Sequence, residues 1–238
     1  MSFKHGKNTV VLLNGTDVST YFRDTSLSTS VDVADTTTFS SSDKTYIPGL
    51  IDSTVSASGL YDGSVGAVDE IMVGALGGSS KAVLTVLRHG VQSGDPADVI
   101  YVDETSYELS SPVADVVTIS ANFQSSQPAR GGLLLNSFVP VTASTTHASQ
   151  DNTTSSTKGF IANLHVTANT RSGNTTVIVE QSSNGSSWTT LATFTVVAGG
   201  VTAAYRVSGS GTVERYVRAR STLAGSGSVT YAIAFARL

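Results

Sequence analysis

Residue types that bind metals are scattered along this chain of 238 residues. Its four histidines are His5, His89, His147 and His165. They show neither a His-x-x-x-His spacing nor a nearby acidic cluster, and the absence of cysteine excludes zinc-thiolate sites and thiolate catalysis. His165 alternates with Leu164 and Val166, which predicts a solvent-facing position on a strand. The sequence therefore predicts neither a metal site nor a cofactor.

Candidate catalytic groups are equally sparse. Ser41-x-x-Lys44 has the spacing of an acyl-enzyme nucleophile, but that motif must open a helix and here it lies in a polar loop. No phosphate-binding loop, dinucleotide fingerprint or Gly-x-Ser-x-Gly elbow is found in the sequence. Asp103 and Glu104 form an adjacent carboxylate pair, for which we predict a solvated turn. The sequence therefore predicts a protein that is not an enzyme.

Composition favours a protein that associates with neighbours. Only 13% of the residues are charged, against about 25% in ordinary domains. Surfaces poor in charge are buried against a partner at a lower desolvation cost. The net charge of −4 provides no electrostatic surface for nucleic-acid backbones, and no apolar run has the length of a membrane span or signal peptide. We expect a soluble product of the cytoplasm without membrane insertion.

The hydrophobic periodicity predicts a mainly β chain. Val113 to Phe123 alternates over eleven residues, which predicts a long strand preceded by Pro112. The segment from Ser64 to Leu76 has helical spacing, with Asp62 or Ser64 as cap, and predicts the one helix. The polar stretch Asp35–Lys44 predicts an exposed loop between strands.

The chain is predicted to form two domains. Residues 1–138 would be a β-barrel or sandwich with one flanking helix, residues 139–158 a Ser/Thr-rich linker, and residues 159–238 an antiparallel Ig-like β-sandwich. On the last strand, Val229 to Phe235, the large residues face one way. The alternate alanines would form a smooth, uncharged outer face.

A hairpin in the C-terminal part ends at Trp188. Asn184-Gly185 is a hairpin turn, and a tryptophan after such a turn is found in some carbohydrate-binding β modules. The alternative favoured by the pattern is a tryptophan in the core. Tyr216 and Arg218 lie on one face of a nearby predicted strand and would complete a surface-binding site with Trp188.

Several motifs together resemble major tail tube proteins of long-tailed bacteriophages. They are Asp32-Val-Ala-Asp-Thr-Thr-Thr-Phe39, Lys44-Thr-Tyr-Ile-Pro-Gly-Leu50, Thr54 to Asp62, Ser111 to Phe123, and, for a domain often appended to that family, Ser182 to Trp188 with Glu214 to Arg220. The similarity is diffuse but covers most of the chain. It implies six copies in a ring, and rings stacked into a virion tail tube through which DNA leaves the capsid without specific binding.

The resemblance also implies which residues make these contacts. A long loop would reach the neighbouring ring through Asp35, Thr36, Thr37, Thr38, Phe39, Lys44 and Tyr46. The long strand would join the sheet between subunits through Val113, Asp115, Val117, Ile119 and Phe123. Further implied partners are tape-measure and tail-terminator or tip proteins. The alternatives are a carbohydrate- or cell-surface-binding β module, or a capsid decoration or minor tail protein.

Overall fold

The computed structural model describes residues 3–127 and 129–238. Within those residues the chain is mainly β with a single α-helix, which confirms the predicted fold class. None of the described helices is both long and apolar enough to cross a membrane. The helix is α1, Val68–Ala75, and Gly6–Asn8 forms a short 3-10 turn.

The strands of the N-terminal half are β1 Val10–Leu13, β2 Thr16–Asp17, β3 Phe22–Asp35, β4 Tyr46–Leu60, β5 Ala82–Leu87, β6 Pro96–Ser110, β7 Thr118–Ser125 and β8 Arg130–Leu134. Those of the C-terminal half are β9 Pro140–Val141, β10 Thr145–Thr146, β11 Gln150–Asp151, β12 Phe160–Asn169, β13 Thr175–Ser182, β14 Thr189–Thr193, β15 Ala203–Gly209, β16 Tyr216–Leu223 and β17 Val229–Arg237.

These elements group into two compact units whose sequences interleave. Unit 1 contains the residues up to Thr20 together with Ala82–Ile100 and Arg130–Leu238. Unit 2 contains Tyr21–Lys81 and Tyr101–Ala129. The predicted boundary near residue 138 therefore falls inside unit 1, because the first strands and the last strands of the chain belong to one compact body.

The predicted linker over residues 139–158 is instead part of the sheets of unit 1. β9 pairs with β17, and both β10 and β11 pair with β16. The Arg215 guanidinium also binds both carboxylate oxygens of Asp151 in β11, at 2.7 Å each. The linker prediction was wrong because polar side chains prevent core formation but do not prevent backbone pairing with an exposed strand edge.

A two-sheet sandwich forms most of unit 1, as predicted for the C-terminal part. One sheet contains β15, β12 and β17 in that order, and the other contains β16, β13 and β14. Between them lies a buried core that includes Tyr231, Phe235, Leu164, Val179 and Phe194.

The alanine face of β17 is also buried, contrary to prediction. Ala232, Ala234 and Ala236 pack in a second core of unit 1 with residues that include Leu12 and Leu134. Small side chains there allow close packing of a second apolar layer rather than forming an outer surface.

His165 is buried in unit 1, so its predicted solvent exposure was wrong. Its Nδ1 accepts a hydrogen bond from the Gly15 amide at 3.3 Å, and its Nε2 lies 3.0 Å from the Thr85 hydroxyl. Burial lowers the pKa of His165 to about 3, so the ring is neutral at pH 7. The neutral ring with hydrogen on Nε2 satisfies both contacts.

Unit 2 is an antiparallel sheet in the order β3, β4, β7 and the second part of β6. One face is buried, with Val55 and Ala57 of β4 and Ile119, Ala121 and Phe123 of β7 on it. The opposite face is exposed and polar, and includes Ser26 and Ser56, whose hydroxyls are 2.7 Å apart. The sheet of unit 2 is therefore apolar on one side only.

Helix α1 confirms the predicted helix but begins later than predicted. Its N-cap is Ala67, which makes no side-chain capping bond, and its buried residues are Val68 and Met72. The Tyr107 hydroxyl of β6 donates to Asp69 of α1 at 2.9 Å, which fixes the helix to the sheet of unit 2.

The predicted strand from Val113 also begins later, because β7 starts at Thr118. The preceding residues form an exposed turn after Pro112, and the Val113 side chain is fully exposed. Alternation alone did not show that this part of the segment has no paired strand beside it.

Candidate assembly site on the β3–β4 hairpin

The longest hairpin of the chain is only partly supported by the rest of its sheet. β3 and β4 pair along their length, from Phe22 opposite Gly59 to Asp35 opposite Tyr46. β7 pairs with β4 only from Thr54 to Leu60. Residues 30–52, which we call the hairpin arm, therefore form a two-stranded ribbon that extends about 25 Å beyond the three-stranded region.

Every residue of the hairpin arm is exposed. Its large apolar side chains are Val31, Val33, Phe39, Tyr46, Ile47, Leu50 and Ile51. Leu50 is 79% exposed and the Phe39 side chain is fully exposed. Exposed apolar groups at this density mark surfaces that become buried against a partner. Each such side chain contributes about 1.5–3 kcal/mol when it is fully buried.

Local hydrogen bonds order the loop at the end of the arm. The Thr36 amide donates to the Thr45 carbonyl at 2.8 Å, and the Thr45 amide donates to the Thr37 hydroxyl at 3.1 Å. The Thr37 amide donates to Asp35 at 2.8 Å, and hydrogen bonds from Thr37 lower the pKa of this carboxyl. The loop therefore has a defined shape without contributing to a core.

The loop residues predicted from the tail tube resemblance all belong to this arm. Asp35 ends β3, Tyr46 begins β4, and Thr36, Thr37, Thr38, Phe39 and Lys44 lie between them. The structure thus places these seven residues together at one exposed end of unit 2.

The outer edge of β3 has no strand partner among the described residues. Among the described strands β3 pairs only with β4. Its fourteen residues contain neither proline nor lysine, two residue types that commonly protect exposed edges. Bulges interrupt its register near Phe22 and near Val31. Most of this edge offers backbone amides and carbonyls to an incoming strand.

The residues predicted for the inter-subunit strand are not brought together on a free edge. Both edges of β7 are paired within the chain, with β4 and with β6. Ile119 and Phe123 are buried, whereas Val113 and Asp115 lie in the exposed turn before the strand. Val117 is the last residue of that turn and is partly exposed.

Several solved structures show partial similarity to the chain. The native gene transfer agent virion gives a TM-score of 0.44 at 14% identity, over 53% of this chain and 97% of that chain. The SPP1 tail tube gives 0.43 at 12%, over 53% and 77%. The crystal structure of SPP1 Dit, described as a hub of the adsorption apparatus, gives 0.41 at 10%, over 96% and 98%.

These similarities do not show a family. All three TM-scores are below 0.5, at identities of 14% or less. Among protein-family models and curated proteins, none matches this sequence. Assignment of a function therefore depends on the geometry of the chain itself.

The predicted surface site around Trp188 has one aromatic face covered. The Arg218 guanidinium lies 3.9 Å from the centre of the Trp188 ring and binds Glu180 at 2.8 Å. Glu180 also pairs with Arg220 at 3.0 Å. Trp188 is half-buried beneath this charged layer, not in the core as the hairpin pattern favoured. Tyr216 lies two residues before Arg218 on β16, with the Arg215 guanidinium 4.8 Å from the centre of its ring.

Sequence analysis missed the apolar part of the arm. Val31, Ile47, Leu50 and Ile51 flank the polar loop on both sides and are also exposed. The sequence does show an apolar segment on each side of a polar loop. Those segments are exposed because β7 ends before it reaches them, and the sequence does not predict the end of β7.

Proposed function

We propose that the chain is a structural protein of a phage-type tail, which assembles with copies of itself into stacked hexameric rings that form a tail tube. The hairpin arm is the observation that carries this proposal. A two-stranded ribbon with exposed apolar residues is at best marginally stable in water, and becomes stable when a partner covers it. The ring number, the stacking and the virion location come from the sequence resemblance to tail tube proteins.

In this proposal the arm contacts the neighbouring ring. Phe39 and Tyr46 would supply apolar contact area, while Asp35, Thr36, Thr37, Thr38 and Lys44 would supply polar contacts around it. Since the loop is already ordered by its own hydrogen bonds, less conformational entropy would be lost when it docks.

Contacts within a ring would use the free edge of β3 rather than β7. A strand edge of one copy that pairs with a different edge of the next copy gives a heterologous interface, which closes into a ring when the rotation permits. The sheet that contains β7 would still belong to the wall of the tube, with Ile119 and Phe123 in its core.

The exposed face of unit 2 suits passage of DNA without binding. Its side chains are mostly hydroxyls and amides, and Asp24, Asp52 and Glu108 lie on it with Arg23 as the strand-borne cation. A weakly acidic polar surface repels phosphate groups and offers few donors to hold them. Tape-measure and terminator or tip proteins are further partners under this proposal.

The test compares an arm variant with a matched exposed variant. Ile47→Ser with Leu50→Ser removes two exposed apolar groups from the arm. Val196→Ser with Val201→Ser removes two similarly exposed groups from unit 1. Electron microscopy and sedimentation of the full chain over rising concentrations should show stacked rings or tubes for the wild type and the unit 1 variant, and no stacking of rings for the arm variant.

Two outcomes would contradict the proposal. Stacking of the arm variant into tubes at the wild-type concentration would exclude the arm as the contact between rings. A wild-type protein that stays monomeric at millimolar concentration with a crowding polymer would exclude self-assembly. Glycan-array binding by such a monomer, lost in Trp188→Ala, would then support the alternative of a surface-binding module.

A further inference from the structure

Glu104 of β6 is a buried carboxyl without a polar partner. Its side chain is 3% exposed, and neither carboxylate oxygen has a hydrogen-bond partner among the described residues. The sequence predicted a solvated turn for Asp103-Glu104, but both residues lie within β6. Asp103 faces the polar side and pairs with Lys81, whereas Glu104 faces inward.

Glu104 lies next to the C-terminal end of α1. The backbone of Leu76, the C-cap residue of the helix, forms an isolated bridge with Glu104. The C-terminal end of a helix carries partial negative charge, which disfavours a second negative charge beside it. The segment after the cap begins with Gly77-Gly78, and residues 77–80 are all exposed.

The titratable groups near Glu104 are acidic as well. Tyr107, three residues later on β6, interacts with Glu104, with Asp69 of α1 and with Tyr61 after β4. Its pairing partner on β7, Phe123, and its bridge partner Leu76 are both apolar. Lys81 is committed to Asp103. These surroundings offer a negative charge on Glu104 no compensation, and burial raises its pKa from 4.5 to about 8.

We propose that Glu104 is a proton-operated latch between the end of α1 and β6, which is closed when the carboxyl is neutral and opens the segment from Leu76 to Lys81 when it ionises. An ionised carboxylate in this position draws in water. The element that yields is the exposed segment that contains two glycines, since it has few packed contacts to lose.

The sign of the effect is fixed by the two pKa values. Between pH 4.5 and about 8 the folded state holds a proton on Glu104 that the unfolded state releases, so stability falls as pH rises. The opening equilibrium constant increases by up to about tenfold per pH unit in that window, and by on the order of a thousandfold over its full width. Above about pH 8 this contribution no longer changes.

Hydrogen exchange on the full-length protein tests the latch. Protection factors of amides in α1 and the following segment, corrected for the intrinsic exchange rate, are measured at pH 5, 6.5 and 8. The wild type should lose protection as pH rises, while Glu104→Gln should hold it constant. Glu108→Gln, which changes an exposed carboxyl on the same strand, should behave as the wild type.

An equal fall of protection in Glu104→Gln and the wild type would overturn the latch. Where the glutamine variant does not fold, Glu104→Met supplies an unbranched side chain without charge. A direct readout is the infrared carbonyl band of a protonated carboxyl at pH 7. The band should be present in the wild type and absent in either variant, and its absence in the wild type would also overturn the proposal. Neither measurement depends on assembly.

Discussion

Unit 1 and unit 2 use β-sheets in opposite ways. In unit 1 the strand β17 is paired on one edge by β12 and on the other by β8 and β9, and residues on both of its faces are buried. In unit 2 the strand β4 is paired on both edges only over its second half, where β7 lies beside it. One face of that half is exposed, and its first half belongs to the hairpin arm.

The strand β17 of unit 1 is thus covered by residues of its own unit, whereas part of β4 in unit 2 is left uncovered. In unit 1 the buried Arg171 is held within the unit, since its guanidinium donates to the carbonyls of Thr142, Ala224, Gly225 and Gly227. Unit 2 retains a free strand edge, an exposed apolar arm and the unpartnered carboxyl of Glu104. The ribbon of exposed apolar side chains, which a partner would bury, therefore lies in unit 2.

Truncation of the chain should have the largest effect. A chain that ends at Asn136 lacks β17 and β12, and with them Ile161 and Ala234 of the core that contains Leu12. We expect loss of the whole stability of unit 1, of the order of 5–15 kcal/mol for a domain. The measurement is cooperative thermal unfolding by circular dichroism.

Deletion of residues 39–43 from the arm loop is the control for truncation. These residues are exposed and outside both cores, so the deleted chain should unfold at nearly the wild-type temperature. Cooperative unfolding of the truncated chain would show that the N-terminal residues form a domain without β17, and the interleaved description of unit 1 would be wrong.

Charges placed on the middle strands of the two units should give a smaller, unequal response. Ala234 of β17 and Ser56 of β4 are each paired on both sides, but Ala234 is buried and Ser56 exposed. Ala234→Asp should cost about 4 kcal/mol or more, because it buries a carboxyl without a partner. Ser56→Asp should cost about 0.5 kcal/mol or less. Urea unfolding of both variants measures the difference, and equal costs would contradict it.

A fall of pH below 6.5 should destabilise unit 1, whereas a rise of pH from 4.5 to about 8 should destabilise unit 2. Because the pKa of His165 is about 3 in the folded state against 6.5 ordinarily, the unfolded state binds an extra proton between these values. This contribution to stability is complete above pH 6.5 and is lost as pH falls toward 3. At pH 5 the loss is about 2 kcal/mol.

His165→Gln should remove that acid sensitivity, as measured by urea unfolding at pH 5 and pH 7. His5→Gln is the matched control, since His5 is exposed near the N-terminus. If the two variants lost stability equally on acidification, the buried neutral state of His165 would be disproved.

Local pattern was enough to place several elements. The last strand, which alternation places at Val229 to Phe235, lies within β17. The helix spacing was also sufficient, since Val68 and Met72 are the buried residues of α1. These features follow from periodicity, which any single element carries within itself.

Long-range pairing could not be predicted in the same way. The segment over residues 139–158 has no apolar pattern because it lies on the edges of β16 and β17, which supply the pairing. His165 and Glu104 appeared to be solvent-facing because each is polar. Their burial depends on elements distant in sequence, such as Gly15 and Thr85 for His165.

The sequence alone determined that this chain is mainly β, poor in charge and without a recognisable catalytic motif, because composition and periodicity are properties of each segment by itself. Tertiary structure decided which segments share a core. It also decided which face and which edge stay open, because those depend on the partners that each strand finds elsewhere in the chain. The hairpin arm illustrates both contributions. Its sequence is typical of strands, whereas its exposure follows from the tertiary structure, in which β7 ends before it reaches the arm.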